Sequence, residues 1–230
     1  MFRFRQFTIE DDRCGHHVGT DGVLLGAWAR VEEARRILDV GTGSGLIALM
    51  AAQRAPQARV LGLDIDEESV RQAGENARRS PFSEKVEMHL CDVRDFYDAE
   101  GFDCILCNPP FFTEDTLSPD AQRARSRHAS LLGFGELITA VRRLLVKDGM
   151  FYVILPCVSE NIFVNQCFMN GLYVVRRCLV RTVPHKAPRR ALLTFALHGV
   201  VTSDTEQIVL QERDGSRSDA YARLTKDFYL

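Results

Sequence analysis

The stretch Arg35 to Met50, "RRILDVGTGSGLIALM", passes from two arginines into an apolar run, through glycines at 41, 43 and 45, and on into a second apolar run. The first run (35–40) is too short for a helix and carries apolar residues without alternation, as a strand covered on both faces does. The glycines let the backbone turn sharply and come close to a ligand. The run after them reads as a helix, whose first N–H groups are free to bind. The spacing is G-x-G-x-G, whereas the dinucleotide fingerprint G-x-G-x-x-G needs a third glycine at 46, where Leu46 stands. A nicotinamide or flavin site is therefore disfavoured.

Outward from this turn the same alternation recurs. Apolar runs at 58–65, 85–90, 102–108 and 149–156 read as strands, and "GLIALMAAQRA", "DEESVRQAGENARRS" and "GFGELITAVRRLLVKDG" read as helices between them. Strands alternating with helices require crossover connections, hence an α/β, doubly wound and mostly parallel sheet. After Pro156 the pattern changes to a helix near 158–169, then "LYVVRRCLVRTV" and "ALLTFALHGV" as two strands joined by the loop "PHKAPRR". A final helix is expected near 219–228.

With 230 residues, 46% hydrophobic and 26% charged, the chain is long enough for one substantial core, and 1–230 is expected to form a single domain. Within it, 1–34 precede the core, 35–156 hold the alternating core, and 157–230 add the late strands and helix. Neither a signal-type apolar run at the N-terminus nor a run of about 18 apolar residues is present, so a soluble, cytoplasmic, membrane-free protein is expected. Seven cysteines scattered through apolar segments suit buried thiols in a reducing compartment. Cys104 and Cys107 form a CxxC inside an expected strand. Residues three apart on a strand point to opposite faces, so this pair cannot share a metal. His16-His17 has no further ligand at metal spacing, and no metal is expected.

Four expected strands end in polar residues at one edge. After the glycines, Asp64 closes "LGLDID" about twenty residues on, where a carboxylate can accept the hydroxyls of a ribose. Asp92, in "CDVRD", follows the third strand within reach of an adenine amino group. The fourth strand ends in "NPPF", Asn108 to Phe111. The carboxyl edge of an open α/β sheet is where ligands bind.

With these motifs in place the chain resembles the class I S-adenosylmethionine-dependent methyltransferases, and "NPPF" is similar to the motif of those acting on planar exocyclic nitrogens. "VGTDGVLLGAW", "RRILDVGTGSGLIALMAAQR", "CNPPFF" and the ending "YARLTKDFYL" narrow the resemblance to the bacterial tRNA1(Val) adenine N6-methyltransferases, along nearly the whole chain. The resemblance implies S-adenosyl-L-methionine as cofactor and adenine 37, beside the anticodon, as target. Asp39, Gly41, Gly43 and Gly45 would surround the methionine end, Asp64 the ribose and Asp92 the adenine. Thr20 and Asp21 would belong to a segment closing over the cofactor. Their plainer reading is a Thr-x-Asp helix start. One antiparallel strand near the C-terminus is also implied.

An aniline-like amine is a poor nucleophile because its lone pair is delocalised into the ring. The side-chain carbonyl of Asn108 and the backbone carbonyl of Pro109 can accept its two hydrogens and aim the lone pair, and the dipoles so fixed stabilise the positive charge the nitrogen gathers. Phe111 would stack on the base. Substrate RNA, an anticodon stem-loop, is expected on two basic segments: Arg123, Arg125 and Arg127 after NPPF, and Lys186, Arg189 and Arg190 in a stretch from 161 to 203 that holds no acid. That stretch also contains Arg176, Arg177 and Arg181. A monomer is expected. Other planar amines, guanine N2 of ribosomal RNA or a release-factor glutamine, and a non-catalytic RNA- or cofactor-binding module remain as alternatives.

Overall fold

The computed structural model describes residues 1–15, 17–109, 132–198 and 205–229. In chain order the elements are β1 (Phe2–Arg3), β2 (Thr8–Ile9), α1 (Thr20–Trp28), β3 (Arg36–Val40), α2 (Leu46–Arg54), β4 (Arg59–Asp64), α3 (Glu67–Arg79), β5 (Val86–Leu90), β6 (Phe102–Cys107), α4 (Phe134–Leu144), β7 (Leu145–Pro156), α5 (Cys157–Met169), β8 (Tyr173–Arg181), β9 (Arg190–Ala196), β10 (Glu206–Val209) and α6 (Asp219–Thr225).

An eight-stranded sheet has the order β10-β8-β9-β7-β6-β3-β4-β5. Strands β5, β4, β3, β6 and β7 pair in parallel. Among the described strands of this sheet β9 alone runs against its neighbours, β7 and β8, while β1 and β2 form a separate antiparallel pair. The chain steps outward one way through β4 and β5, then returns to the other side of β3 at β6. The switch point therefore lies between β3 and β6, where the sheet opens a crevice at its carboxyl edge.

The central strands are covered on both faces, as their unbroken apolar runs require. Ile37, Cys104 and Leu106 pack into a core with α1 and α2, while Leu38, Ile105 and Cys107 point the other way into a core with α4 and α5. Cys104 and Cys107 thus face opposite sides of the sheet, and both are free thiols. α1 lies against α2 at close range. A Cβ on Gly26 would come within 2.7 Å of Met50 Sδ, so only glycine permits this approach. This packing brings the residues ahead of α1 to the start of α2, at the sheet's carboxyl edge.

Three details differ from the sequence reading. The helix expected over 133–149 ends at Leu144, because Leu145 already pairs with Phe102, and β7 starts there with an irregularity before Met150. β10 adds an unforeseen edge strand parallel to β8. Helix α6 stops at Thr225, with Phe228 and Tyr229 bonded back to Thr225 O.

Candidate active site

The glycine turn has two kinds of glycine. All three adopt the left-handed region, with φ of 71° at Gly41, 54° at Gly43 and 82° at Gly45. A Cβ on Gly41 or Gly43 would meet no atom within 4 Å, and both line an open cleft. A Cβ on Gly45 would come 3.1 Å from Met88 Cε and 3.2 Å from Ala73 Cβ, so Gly45 serves packing and does not line the cleft.

Asp39 likewise lies beneath the turn. It is fully buried and does not line the cleft. Its Oδ2 accepts the Thr42 hydroxyl (2.7 Å) and the Ala48 N–H (3.2 Å), binding the loop to the first turn of α2. Burial pushes its carboxyl up to about 7, opposed by those hydrogen bonds and assisted by the nearby Asp64.

Asp64 sits at the tip of β4, facing the turn. Gly43 N–H donates to its Oδ2 (2.8 Å) and Asp66 N–H to its Oδ1 (3.0 Å). An ionised carboxylate has about four acceptor positions, so two remain for hydroxyls in the cleft. Asp92 also lines the cleft, but Arg94 holds it: Nε and Nη2 donate to Oδ2 at 2.9 and 2.5 Å, and the Arg94 N–H to Oδ1 at 2.9 Å. The Arg94 hydrogen bond draws the Asp92 carboxyl below its ordinary range. Arg94 continues to Glu136 on α4 (3.1 Å), so Asp92 braces this end of the cleft as well as facing it. Ile65, 52% exposed, joins Val93 and Leu132 as apolar lining there. Sequence reasoning missed Ile65. Its signal was an apolar residue placed directly after a strand-tip acid.

The opposite wall is the segment before α1. Gly19 is the N-cap of α1 without a side-chain cap, so Thr20 and Asp21 do not act as a Thr-x-Asp start. Both line the cleft, and Asp21 Oδ2 accepts from Arg190 Nε (2.7 Å). Arg190, the first residue of β9, lines the cleft too. It was expected as an RNA contact in the basic segment, and the fold places it at the carboxyl edge of the sheet with its side chain on the cleft.

Asn108 and Pro109 follow β6 at the switch point and line the same cleft, of about 760 Å³, within the usual range for a small-molecule site. Among the described residues the Asn108 amide makes no hydrogen bond. Phe111, Arg123, Arg125, Arg127 and His16 lie outside the described residues.

The basic stretch is partly neutralised from just beyond its ends. Arg176 forms a two-point pair with Glu206 (2.7 and 3.1 Å) and lies over the Trp28 ring at 4.0 Å. Arg177 grips the buried Glu160 (2.5 and 2.9 Å). Arg181 donates to Lys186 O (2.7 Å), closing the loop between β8 and β9. Lys186 and Arg189 are exposed on that loop, which hangs from the carboxyl edge beside the cleft. Among the described residues no group of three or more His, Cys, Asp or Glu could hold a metal, and no helix is long and apolar enough to cross a membrane.

A family model described as a methyltransferase domain matches residues 32–196. A tRNA1(Val) (adenine(37)-N6)-methyltransferase of Bacteroides fragilis is 42% identical over all of this chain and 98% of its own length. One from Phocaeicola vulgatus is 42% identical over all of this chain and 97% of its own. In structure, a predicted O-methyltransferase from Agrobacterium tumefaciens superposes with a TM-score of 0.66 at 20% identity, over 90% of this chain and 96% of that one, a likeness of fold alone.

Proposed function

Since the chain belongs to the tRNA1(Val) (adenine(37)-N6)-methyltransferase family, we propose that it methylates N6 of adenine 37 in valine tRNA and that the cleft described above is where it does so. The family uses S-adenosylmethionine, which when bound supplies an electrophilic methyl group. The residues present fit it: two glycines whose missing Cβ atoms leave the cleft open, a strand-tip carboxylate with acceptor positions to spare, and an apolar wall beyond. Gly41, Gly43 and Asp64 would hold its amino-acid and ribose portions, with Ile65, Val93 and Asp92 around the adenine.

The observation that carries the chemical reading is the placement of Asn108 and Pro109 at the switch point, in the same cleft as the glycine turn. Asn108 presents a side-chain carbonyl and Pro109 a backbone carbonyl. Both accept hydrogen from the target N6, drawing the nitrogen toward tetrahedral geometry with its lone pair facing the cofactor side. Proline after the asparagine holds this pair rigid, so little reorganisation accompanies the reaction. No strong base is needed, since the amine loses its extra proton to solvent after transfer.

The tRNA anticodon loop would approach over the β8–β9 loop, where Lys186 and Arg189 meet phosphate, with an unpaired base entering toward Asn108. We read 1–230 as one functional unit acting as a cytoplasmic monomer. The one-unit reading is supported by the N-terminal segment bonding to the C-terminal one, with Arg5 N–H donating to Phe228 O (2.9 Å) and Arg5 Nε to Tyr229 O (2.6 Å).

The test is methylation of unmodified valine tRNA, digested to nucleosides and read by mass. N6-methyladenosine should form at position 37, and Asn108→Ala should lower turnover roughly 10² to 10³-fold with cofactor affinity little changed. Transfer to ribosomal RNA or release factor instead of the tRNA would reject the substrate while keeping the enzyme class. Near-normal turnover by Asn108→Ala would reject the amine-orienting role.

A further inference from the structure

Two walls of the cleft come from distant parts of the chain, the segment before α1 and the glycine turn after β3. They meet at one side chain. Asn76, almost completely buried on the inward face of α3, accepts the Glu10 N–H at Oδ1 (3.0 Å). Its Nδ2 donates to Glu10 O (2.8 Å) and to Ser44 O in the glycine turn (2.9 Å). Both hydrogens of the amide are used, one for each wall.

One turn earlier, the fully buried Gln72 repeats the arrangement for the next residues. Its Oε1 accepts from Arg13 N–H (2.9 Å) and the Cys14 thiol (3.2 Å), and its Nε2 donates to Asp12 Oδ1 (2.6 Å). Residues 10–14 belong to no strand or helix. Two side-chain amides at i and i+4 stand in for the edge of a partner strand, and the chain goes on from them to Gly15 and His17–Gly22, which line the cleft.

We propose that Asn76 is a positioning residue for the cofactor site, fixing the N-terminal wall and the glycine turn relative to each other, with Gln72 as a second anchor of that wall alone. This rests on reading the cleft as the cofactor site. A need for packing does not account for these residues. Their neighbours on the same buried stripe are Ser69, Ala73 and Ala77, and small or apolar side chains would fill the space without burying amides that must be fully hydrogen-bonded. What the amides add is a unique register for a segment with no ladder of its own.

If the wall is undocked in most molecules, apparent affinity for the cofactor drops by the fraction that remains competent. The experiment titrates S-adenosylhomocysteine into the full-length wild type, Gly43→Asp, Asn76→Ser, Gln72→Met and Phe195→Leu. The last is a core change on the opposite face of the sheet, used as a control for stability.

The wild type should bind one to one and Gly43→Asp should not. Failure of either overturns the cleft reading and the proposal with it. Given that, Asn76→Ser should bind about tenfold or more weakly, Gln72→Met less so, and Phe195→Leu within about twofold despite a lowered melting temperature. Turnover of Asn76→Ser at saturating cofactor should recover to within about threefold of wild type. Tryptic cleavage after Arg13 should speed up in both amide variants and be suppressed by saturating S-adenosylhomocysteine. If Asn76→Ser does not fold, the affinity and cleavage of Gln72→Met decide. Amide variants that lose stability but bind like the Phe195→Leu control overturn the proposal while leaving the cofactor site in place.

Discussion

Replacing Arg190 with glutamine separates two roles that the sequence could not tell apart. As part of a basic run, Arg190 belonged with RNA. In the fold its Nε donates to Asp21 Oδ2 at 2.7 Å across the mouth of the cleft, tying β9 to the first turn of α1. A hydrogen bond to a charged group contributes about 1.5–3 kcal/mol when sheltered. Here the side chains are 33% and 25% exposed, and solvent screening brings the contribution down to about 1 kcal/mol. If the pair holds the wall against which the cofactor binds, its loss weakens cofactor affinity about fivefold. Calorimetric titration of S-adenosylhomocysteine into wild type, Asp21→Asn, Arg190→Gln and the double variant measures this. Each single variant should lose about fivefold and the double no more than either, a coupling of about 1 kcal/mol. Salt near 1 M, where the Debye length is about 3 Å, should weaken the wild type toward the variants. Cofactor affinity unchanged in Arg190→Gln, with tRNA affinity reduced instead, would refute the argument and return Arg190 to the RNA surface.

The exposed Lys186 and Arg189 carry the complementary expectation. Changing both to Glu should leave cofactor affinity intact, weaken tRNA binding, and reduce the slope of log affinity against log salt by roughly 0.7 per lost contact on single-stranded RNA. An unchanged slope would make them ordinary solvated charges. Asp39 offers a pH test. Its folded-state value of about 7 lies above the ordinary carboxylate range, so the native protein keeps a proton that the unfolded chain releases. The unfolded state then binds fewer protons, and this group's contribution to stability is full below about pH 4 and lost as pH rises through about 7. Asp39→Asn stays neutral throughout, so its melting temperature should decline less between those pH values than the wild type's. Parallel profiles would show that Asp39 ionises in the fold near the ordinary carboxylate value.

The main sheet was legible because each central strand announces itself twice, by an apolar run and by the polar tip that ends it. β3, β4 and β6 are such strands, β5 at the sheet's edge ends in the same way, and the cleft runs along their tips. β10 was not legible. "EQIV" is four residues long at a sheet edge, with two exposed positions, and it is held by pairing to β8 that no local pattern encodes. The boundary at Leu144–Leu145 failed for a related reason. "AVRRLLVKDG" continues a helical period, and only the contact of Leu145 with Phe102 ends it.

The candidate site divides along the same line. Residues that line the cleft through their position on the chain, Gly41, Gly43, Asp64 and Asn108, could be read from a strand followed by a turn. Residues whose role depends on a partner could not. Asp39 and Gly45 sit in the same motif as Gly41 and Gly43, yet they face the interior, because the Asp39 carboxylate is taken up by Thr42 and Ala48 and Gly45 lies against Met88 and Ala73. Arg176 and Arg177 stand in a stretch without acids, but Glu160 and Glu206 lie just outside that stretch and reach back in. A charge run therefore says what a segment carries, while only the fold says how much of it is spent internally. Asn76 is the sharpest case. In sequence it is one more polar residue in an amphipathic helix; in space its two donors reach carbonyls 32 and 66 residues away, one in the glycine turn and one in the segment that leads to the N-terminal wall of the cleft.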